Sequence, residues 1–370
     1  MNKNTLMSFD DLECFMADVF KGLGVPEDEA AICAEILITA DKRGIDSHGI
    51  SRCKPIYYDR IKAGIQNPKT KIDVVRDRKA VAVLDGNNGM GHVIGRYAMN
   101  MAIQKAKDYG IGMVTVRNST HYGIAGYYAL MAAEANMASM NGTNARPSIA
   151  PTFGVENMLG TNPICYGFPT DEDFPFVLDC ATSVTQRGKI EVYDRLGKDL
   201  PDGWVIGHDG KSRTDTHQIL IDLVQGKAAL TPLGGIGEDN GGYKGYGYAT
   251  AVEVLSSAFQ AGNIMKDLSG FDSDGKRKPI ELGHFFIAIN VEDFIEPDLF
   301  KKNVGNIMRA LRNSKKAPGQ ERIYTAGEKE YEEQKKREAQ GGIYLVESIQ
   351  KEMIQMRDEL KLNWTFPFEK

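Results

Sequence analysis

Residues 44–52 read GIDSHGISR and bring an acid (Asp46), a hydroxyl (Ser47), an imidazole (His48) and a guanidinium (Arg52) into one glycine-marked corner. Histidine titrates near neutrality, so it can take a proton and return it. Arginine offers a planar fork that grips a carboxylate. The pair suits a reaction that moves a proton to or from an oxygen of a substrate held by its carboxylate. A structural reading uses the same residues: Asp46 or Ser47 caps a helix and Arg52 pairs with a surface acid. Residue types alone do not separate the two.

A second imidazole, His121, stands in NSTHYGIAGYYA directly after the run IGMVTVRN. Strand ends of α/β folds carry side chains into a crevice, and small, polar neighbours favour a site there over a structural histidine. Asp179 ends another apolar run, LDCATS, where a carboxylate can fix a histidine tautomer or cap the next helix. Residues 233–249, LGGIGEDNGGYKGYGYA, bracket Lys244 with glycines just before an expected helix. Free backbone N–H groups, a helix start and a lysine favour a phosphate, although the spacing is not that of a Walker A loop. A flexible loop with a solvent lysine is the alternative. GNNGMG at 86–91 has its glycines in the mirror order of the Rossmann fingerprint and lacks the acidic ribose partner. It reads as a tight connection between strand and helix.

These groups need elements to hold them. Ser8 caps a first helix to about residue 21; a second starts at Pro26, with three acids in its first turn, and stops before Gly44. A third helix is expected through SRCKPIYYDRIKAG. From about residue 72, AVAVLDG, IGMVTVRN, ASMNGTN, ICYGFPT, FPFVLDCATS and HFFIAINV are strand-like runs. Helical patterns at 93–109, 126–136, 185–196 and 246–260 lie between them. Beyond residue 297 the chain is helical and charged, and GEKEYEEQKKREAQ is a solvated face. The expected plan is a helical domain of residues 1–75 with 297–370 around an α/β core of 76–296 that carries the cofactor region.

Bulk properties narrow the class. The chain has 370 residues, enough for more than one core, and its 42% hydrophobic and 26% charged content is that of a globular protein. A net charge of -5 gives no reason to expect nucleic acid or an anionic membrane as partner. No apolar run or secretory-type start is visible, so a cytoplasmic protein is expected. The five cysteines form no Cys-x-x-Cys pair, and neither a disulfide framework nor a metal site is expected.

In this order, GIDSHGISR, STHYGIAGYYA, GTNPICYGFP, LDCATSV and GGYKGYG resemble the second type of malate/L-lactate dehydrogenase, over nearly the whole chain. That family includes ureidoglycolate and sulfolactate dehydrogenases, diketogulonate reductase and piperideine-2-carboxylate reductase. The resemblance implies its non-Rossmann NAD(P)-binding α/β fold, a mixed sheet core with a helical shell from both chain ends. It implies NAD or NADP as cofactor and a homodimer with active sites near the subunit interface. The substrate is then a small 2-hydroxy or 2-oxo acid, malate/oxaloacetate first, with lactate, ureidoglycolate, sulfolactate or imine/keto-acid reduction as alternatives. By the same resemblance His48 is the proton donor and acceptor, and Arg52, with Ser47 beside it, holds the substrate. His121 competes with His48 for the acid/base role. Asp179, Cys180, Ala181, Thr182 and Ser183 match one cofactor contact, Tyr243 and Lys244 a second, and Gly327, Glu328 and Lys329 a third. One departure stands out: Ala145 and Arg146 follow GTN where several relatives carry serine before proline.

Overall fold

The six strand-like runs, with a further edge strand Asp73–Arg78 that is not among them, pair into one seven-stranded sheet in the computed structural model, which describes residues 5–369. Across the sheet lie Asp73–Arg78, Val81–Asp85, Ile111–Ser119, Leu282–Asn290, Met137–Thr143, Ile164–Phe168 and Phe176–Cys180. Val81–Asp85 and Ile111–Ser119 are parallel, and the other neighbours are antiparallel. A parallel pair needs a crossover, and the helix Gly91–Tyr109 supplies it. At its start a Cβ on Gly91 would lie 2.3 Å from the Thr120 carbonyl oxygen. The 86–91 stretch is thus a tight connection that only glycine permits, with Asn87 and Asn88 in left-handed conformations.

Both chain ends build one helical core beside the sheet. Phe9–Gly22, whose Ser8 hydroxyl accepts from Asp11 N–H at 3.1 Å, packs with Glu27–Lys42 and Glu347–Leu360. Leu12, Phe15, Met16 and Phe20 meet Met353, Met356, Phe366 and Phe368 there. A short antiparallel ladder, Thr5–Met7 with Ile343–Leu345, also joins the two ends. Three-residue strands leave no periodicity to read, and none is expected from the sequence. A second core fills the space between the sheet and the helices Gly91–Tyr109 and Ala125–Glu134. A third, around Ile149, Ile190 and Leu230, is supported by Arg187–Arg195, Thr216–Gln225 and the ladder Val205–Gly207 with Ala228–Leu230. The expected junction at 75–76 falls inside the edge strand Asp73–Arg78.

Three local expectations need correction. Pro26 precedes the second helix in an extended conformation, and Glu27 is its first residue. The third helical stretch starts at Ile50 after Gly49, with no side-chain cap from Asp46 or Ser47, and Cys53–Tyr58 within it is π-helical. Lys244 lies inside the first turn of Gly242–Ser257, not before it. No described helix is long and apolar enough to cross a membrane.

Candidate active site

The 44–52 corner is bolted from both ends of the chain. Asp41, in the last turn of Glu27–Lys42, is buried and accepts the Ile50 N–H at 2.8 Å. Burial pushes its carboxyl up to about 8 against the pull of that hydrogen bond, so it is protonated at neutral pH. A Cβ on Gly49 would stand 1.9 Å from Asp41 Oδ1, which makes glycine obligatory there. Arg337, from the helix Glu328–Gln340, donates to both carboxylate oxygens of Asp46 at 2.6 and 3.1 Å and to the Asp41 carbonyl at 2.7 Å. Asp46 is therefore the clamp to the helix Glu328–Gln340 and not a helix cap.

This frame aims two imidazoles into one cavity of about 270 Å³. The His48 and His121 rings stack with centroids 5.7 Å apart and 24° between planes. Nδ1 of His48 is hydrogen-bonded to Ser47 Oγ at 2.8 Å. Nδ1 of His121 lies 2.5 Å from the Tyr57 hydroxyl and accepts the Gly123 N–H at 3.3 Å. Among the described residues, neither Nε2 has a protein partner, and neither belongs to the fully buried unpartnered atoms, so both open onto the cavity. Each ring keeps that open edge while protein surrounds the rest of it. Burial first, then Arg52, holds His48 down at about 4. Burial, His48 and Arg60 hold His121 well below its ordinary value. Both are neutral at neutral pH.

The hydrogen bonds assign a tautomer to one ring. A backbone N–H can only donate, so Nδ1 of His121 is an acceptor and the proton sits on Nε2. His48 has no such constraint, because a hydroxyl both donates and accepts. Its Nε2 can present a lone pair while Nδ1–H donates to Ser47. Arg52 stands on the far side of Ser47: its Nε donates to the Ser47 carbonyl at 2.5 Å, and the side chain lines an adjoining cleft of about 630 Å³.

The same cavity is lined by Asp179, Glu330 and Arg43. Asp179 Oδ2 accepts the Gly126 N–H at 2.7 Å, at the start of the helix Ala125–Glu134. Its exposed surface faces the cavity, and protein around it raises its pKa to about 6, with Gly126 pulling down and Glu330 pushing up. Arg43 is 8% exposed and forms no ion pair or side-chain hydrogen bond among the described residues.

The three stretches matched to a cofactor lie at different distances from this cavity. Ala181 lines it beside Asp179. Cys180 is half-buried; Thr182 and Ser183 are buried, with hydroxyls donated to nearby carbonyls. The Thr182 carbonyl accepts the Leu233 N–H at 2.9 Å, which ties this strand end to the glycine-rich loop. That loop leads to Gly241, left-handed at φ +82°, and to exposed Tyr243 and Lys244, which line a separate open pocket of about 500 Å³. The Lys244 ammonium lies 5.6 Å from the Tyr243 ring centre. The third stretch packs through Gly327, whose Cβ would come within 3.0 Å of Pro175 O and Val177 N. Glu328 is turned inward, accepting from Thr325 N–H at 2.8 Å and pairing with Arg312 and Arg322, while Lys329 is exposed. Glu330 is the residue of this stretch that reaches the cavity.

A dinucleotide fits these residues: the cavity has room for a ring, Ala181 leads out of it, and a glycine-opened helix start with a free lysine suits a phosphate. Tyr57, Arg43 and Glu330 are additions that sequence reasoning missed. Tyr57 sits in an aromatic helical stretch and resembles core, and Arg43 resembles an ordinary C-terminal helix cation.

Residues 7–354 match the family model described as malate/L-lactate dehydrogenase. Malate dehydrogenase of Pyrococcus horikoshii is 46% identical over 320 residues, 86% of each chain. L-sulfolactate dehydrogenase of Methanocaldococcus jannaschii is 38% identical over 346 residues, 94% of each. The crystal structure of malate dehydrogenase from Entamoeba histolytica superposes with a TM-score of 0.94 at 46% identity, covering 98% of this chain and 100% of that one. A paired-histidine cavity in a mixed-sheet fold, with a full-length match in sequence and in structure, has one consequence: the chain belongs to the malate/L-lactate dehydrogenase family.

Proposed function

We propose that this oxidoreductase interconverts malate and oxaloacetate, with His48 as the acid/base and Arg52 as the anchor of the carboxylate next to the reacting carbon. The observation that carries the reading is the pair of imidazoles whose Nε2 atoms face one cavity, His48 free to offer a lone pair and His121 bearing a proton. Relatives named malate dehydrogenase at 46% and 45% identity support the choice of substrate.

In the oxidation His48 Nε2 takes the hydroxyl proton, and Nε2–H of His121 donates a hydrogen bond to the same oxygen as it becomes a carbonyl. In the reverse direction protonated His48 returns the proton. The nicotinamide supplies the hydride acceptor or donor when bound. Asp179, Cys180, Ala181, Thr182 and Ser183 would shape its binding strand end. Tyr243 and Lys244 would hold a phosphate, and the stretch Gly327, Glu328 and Lys329 would buttress that wall. Arg52 stops rotation of the substrate, so hydride and proton leave along fixed paths. On this reading the enzyme is a homodimer, as the family resemblance implies. It works in the cytoplasm, a setting in keeping with five free, unpaired thiols.

The test is a panel of oxaloacetate, pyruvate and sulfopyruvate assayed with NADH and with NADPH by loss of reduced-cofactor absorbance. Oxaloacetate should give the highest kcat/KM. Turnover of none of the three acids with either cofactor would overturn the proposal.

A further inference from the structure

Three arginines on separate elements, Arg60, Arg146 and Arg277, lie within electrostatic reach of one another, and the charge of Arg60 also reaches His121. Arg60 lies on Asp59–Lys62, one helical turn past Tyr57. Arg146 follows Asn144 and Ala145, both of which line the cavity. Arg277 lies across an antiparallel bridge from Phe271, and the Arg146 guanidinium stands 5.9 Å from the Phe271 ring centre. Phe271 thus links the two, to Arg146 through its ring and to Arg277 through its backbone, and the segment carrying Arg277 runs on to Leu282 at the cavity wall. None of the three forms an ion pair or a side-chain hydrogen bond among the described residues.

Like charges so arranged repel. Arg60 is held down at about 10, mainly by burial; Tyr57 opposes the shift and the charges of Arg146 and Arg277 add to it. Arg146 is lowered by burial, then by Arg277 and Arg187. Arg60 in turn is one of the charges that depress His121, which places the cluster within electrostatic reach of the reacting centre. Arg146 directly follows two residues of the cavity wall, and it and Arg277 are exposed, so an anion that arrives with the substrate can reach both.

Two features select that anion. The carboxylate next to the reacting carbon is already assigned to Arg52 beside His48. Of the cofactor-matched stretches, Asp179 and Ala181 line the cavity itself and Lys244 a separate pocket. What is left for this cluster is the far end of the substrate. We infer that Arg60, Arg146 and Arg277 form the distal-carboxylate site of a dicarboxylic acid, with Arg146 the residue that separates malate-type from lactate-type substrates. This rests on the reading above that the cavity handles 2-hydroxy and 2-oxo acids. It also gives a reason for the departure after GTN: Arg146 stands at the point where the loop leaves the cavity, so the residue there meets whatever substituent the acid carries.

The experiment uses the full-length protein, Arg146→Ala and, as a second exposed position, Arg277→Ala. Steady-state kcat/KM is measured for oxaloacetate and pyruvate with one reduced cofactor, and calorimetric titration compares L-malate with L-lactate. Loss of a charge-assisted contact predicts that the oxaloacetate-to-pyruvate ratio falls about tenfold or more in Arg146→Ala, and that the binding preference for malate falls in step. Arg277→Ala should shift both in the same direction by less. An unchanged ratio overturns the inference. So does a loss of reduced-cofactor fluorescence titration equal to the loss for oxaloacetate, which would give the arginines to the dinucleotide. Wild type that turns over neither acid defeats the function proposed above and leaves the distal site to the titration, where equal binding of malate and lactate, or of neither, overturns it.

Discussion

The Tyr57 hydroxyl stands 2.5 Å from Nδ1 of His121, the nitrogen that also accepts the Gly123 N–H. Two donors on one ring nitrogen fix both the tautomer and the tilt of the imidazole. The hydroxyl reaches it from the π-helical turn Cys53–Tyr58, a widened turn of the kind found at functional sites. Tyr57 is itself buried, and burial pushes its phenol further up, so it donates and does not ionise.

Tyr57→Phe removes one of those donors and keeps the ring. The expected outcome is a fall in kcat on the order of tenfold, at the low end for a disturbed proton-transfer group. Reduced-cofactor affinity should stay constant, and stability should drop by about 1 kcal/mol for the lost hydrogen bond. Stopped-flow turnover with a parallel denaturant melt checks this. Full kcat in the variant would mean that Gly123 alone sets the tautomer.

The depressed pKa of His48 gives a pH signature with a definite sign. With the folded value at about 4, the neutral form dominates above that pH. Oxidation of malate needs neutral His48, so its kcat/KM should rise through about pH 4 and be level by neutrality. Reduction of oxaloacetate needs the protonated form, and its kcat/KM should fall as pH rises across the neutral range. His48→Asn should remove both dependences and lower turnover at least about 100-fold at constant cofactor affinity. A dead His121→Asn beside an active His48→Asn would reverse the two roles, and an oxidation limb centred on the ordinary imidazole value would match neither buried histidine.

How much of this was legible in the sequence follows from the range of each interaction. The six strand-like runs and the capped first helix are local in origin, set by alternation, β-branching and a serine three residues from its partner N–H, and they stand where expected. Asp46 could not be read, because its partner Arg337 is distant in sequence and only the folded chain brings the two together. The order of the sheet has the same cause: Leu282–Asn290 enters between Ile111–Ser119 and Met137–Thr143, and no local pattern encodes such an insertion. His48 and His121 were each visible as single residues; their shared cavity was not. Glu328 shows the converse, a motif residue whose carboxylate is turned to Thr325 and two arginines while Glu330 faces the cavity.

Lys244 tests the phosphate reading of the glycine-rich stretch. It is exposed on the first turn of Gly242–Ser257, where the unpaired N–H groups of a helix start add to its charge. Lys244→Ala should weaken cofactor binding about tenfold or more, the range for one charge-assisted contact, and slow the chemistry far less. Fluorescence titration of the reduced cofactor reads this directly. An unchanged titration returns the stretch to a solvent loop.

Arg52 carries the sharpest test, since its position admits both an anchor and a surface cation. Its Nε is tied to the Ser47 carbonyl, and the side chain lies across Ser47 from His48, close enough for its charge to depress that imidazole. An exposed ion pair contributes at most about 1 kcal/mol, whereas removing an arginine from a desolvated carboxylate costs several. Lysine keeps the charge and loses the fork, so Arg52→Lys should raise KM for the 2-oxo acid strongly and leave cofactor affinity in place. The decisive comparison replaces the carboxylate next to the reacting carbon by an amide. Wild type should reject the amide, and Arg52→Ala should discriminate far less between acid and amide. If both proteins discriminate equally, Arg52 is not the anchor. The role then passes to Arg43, a buried guanidinium on the cavity wall with no ion pair among the described residues, and Arg43→Ala should abolish the discrimination instead.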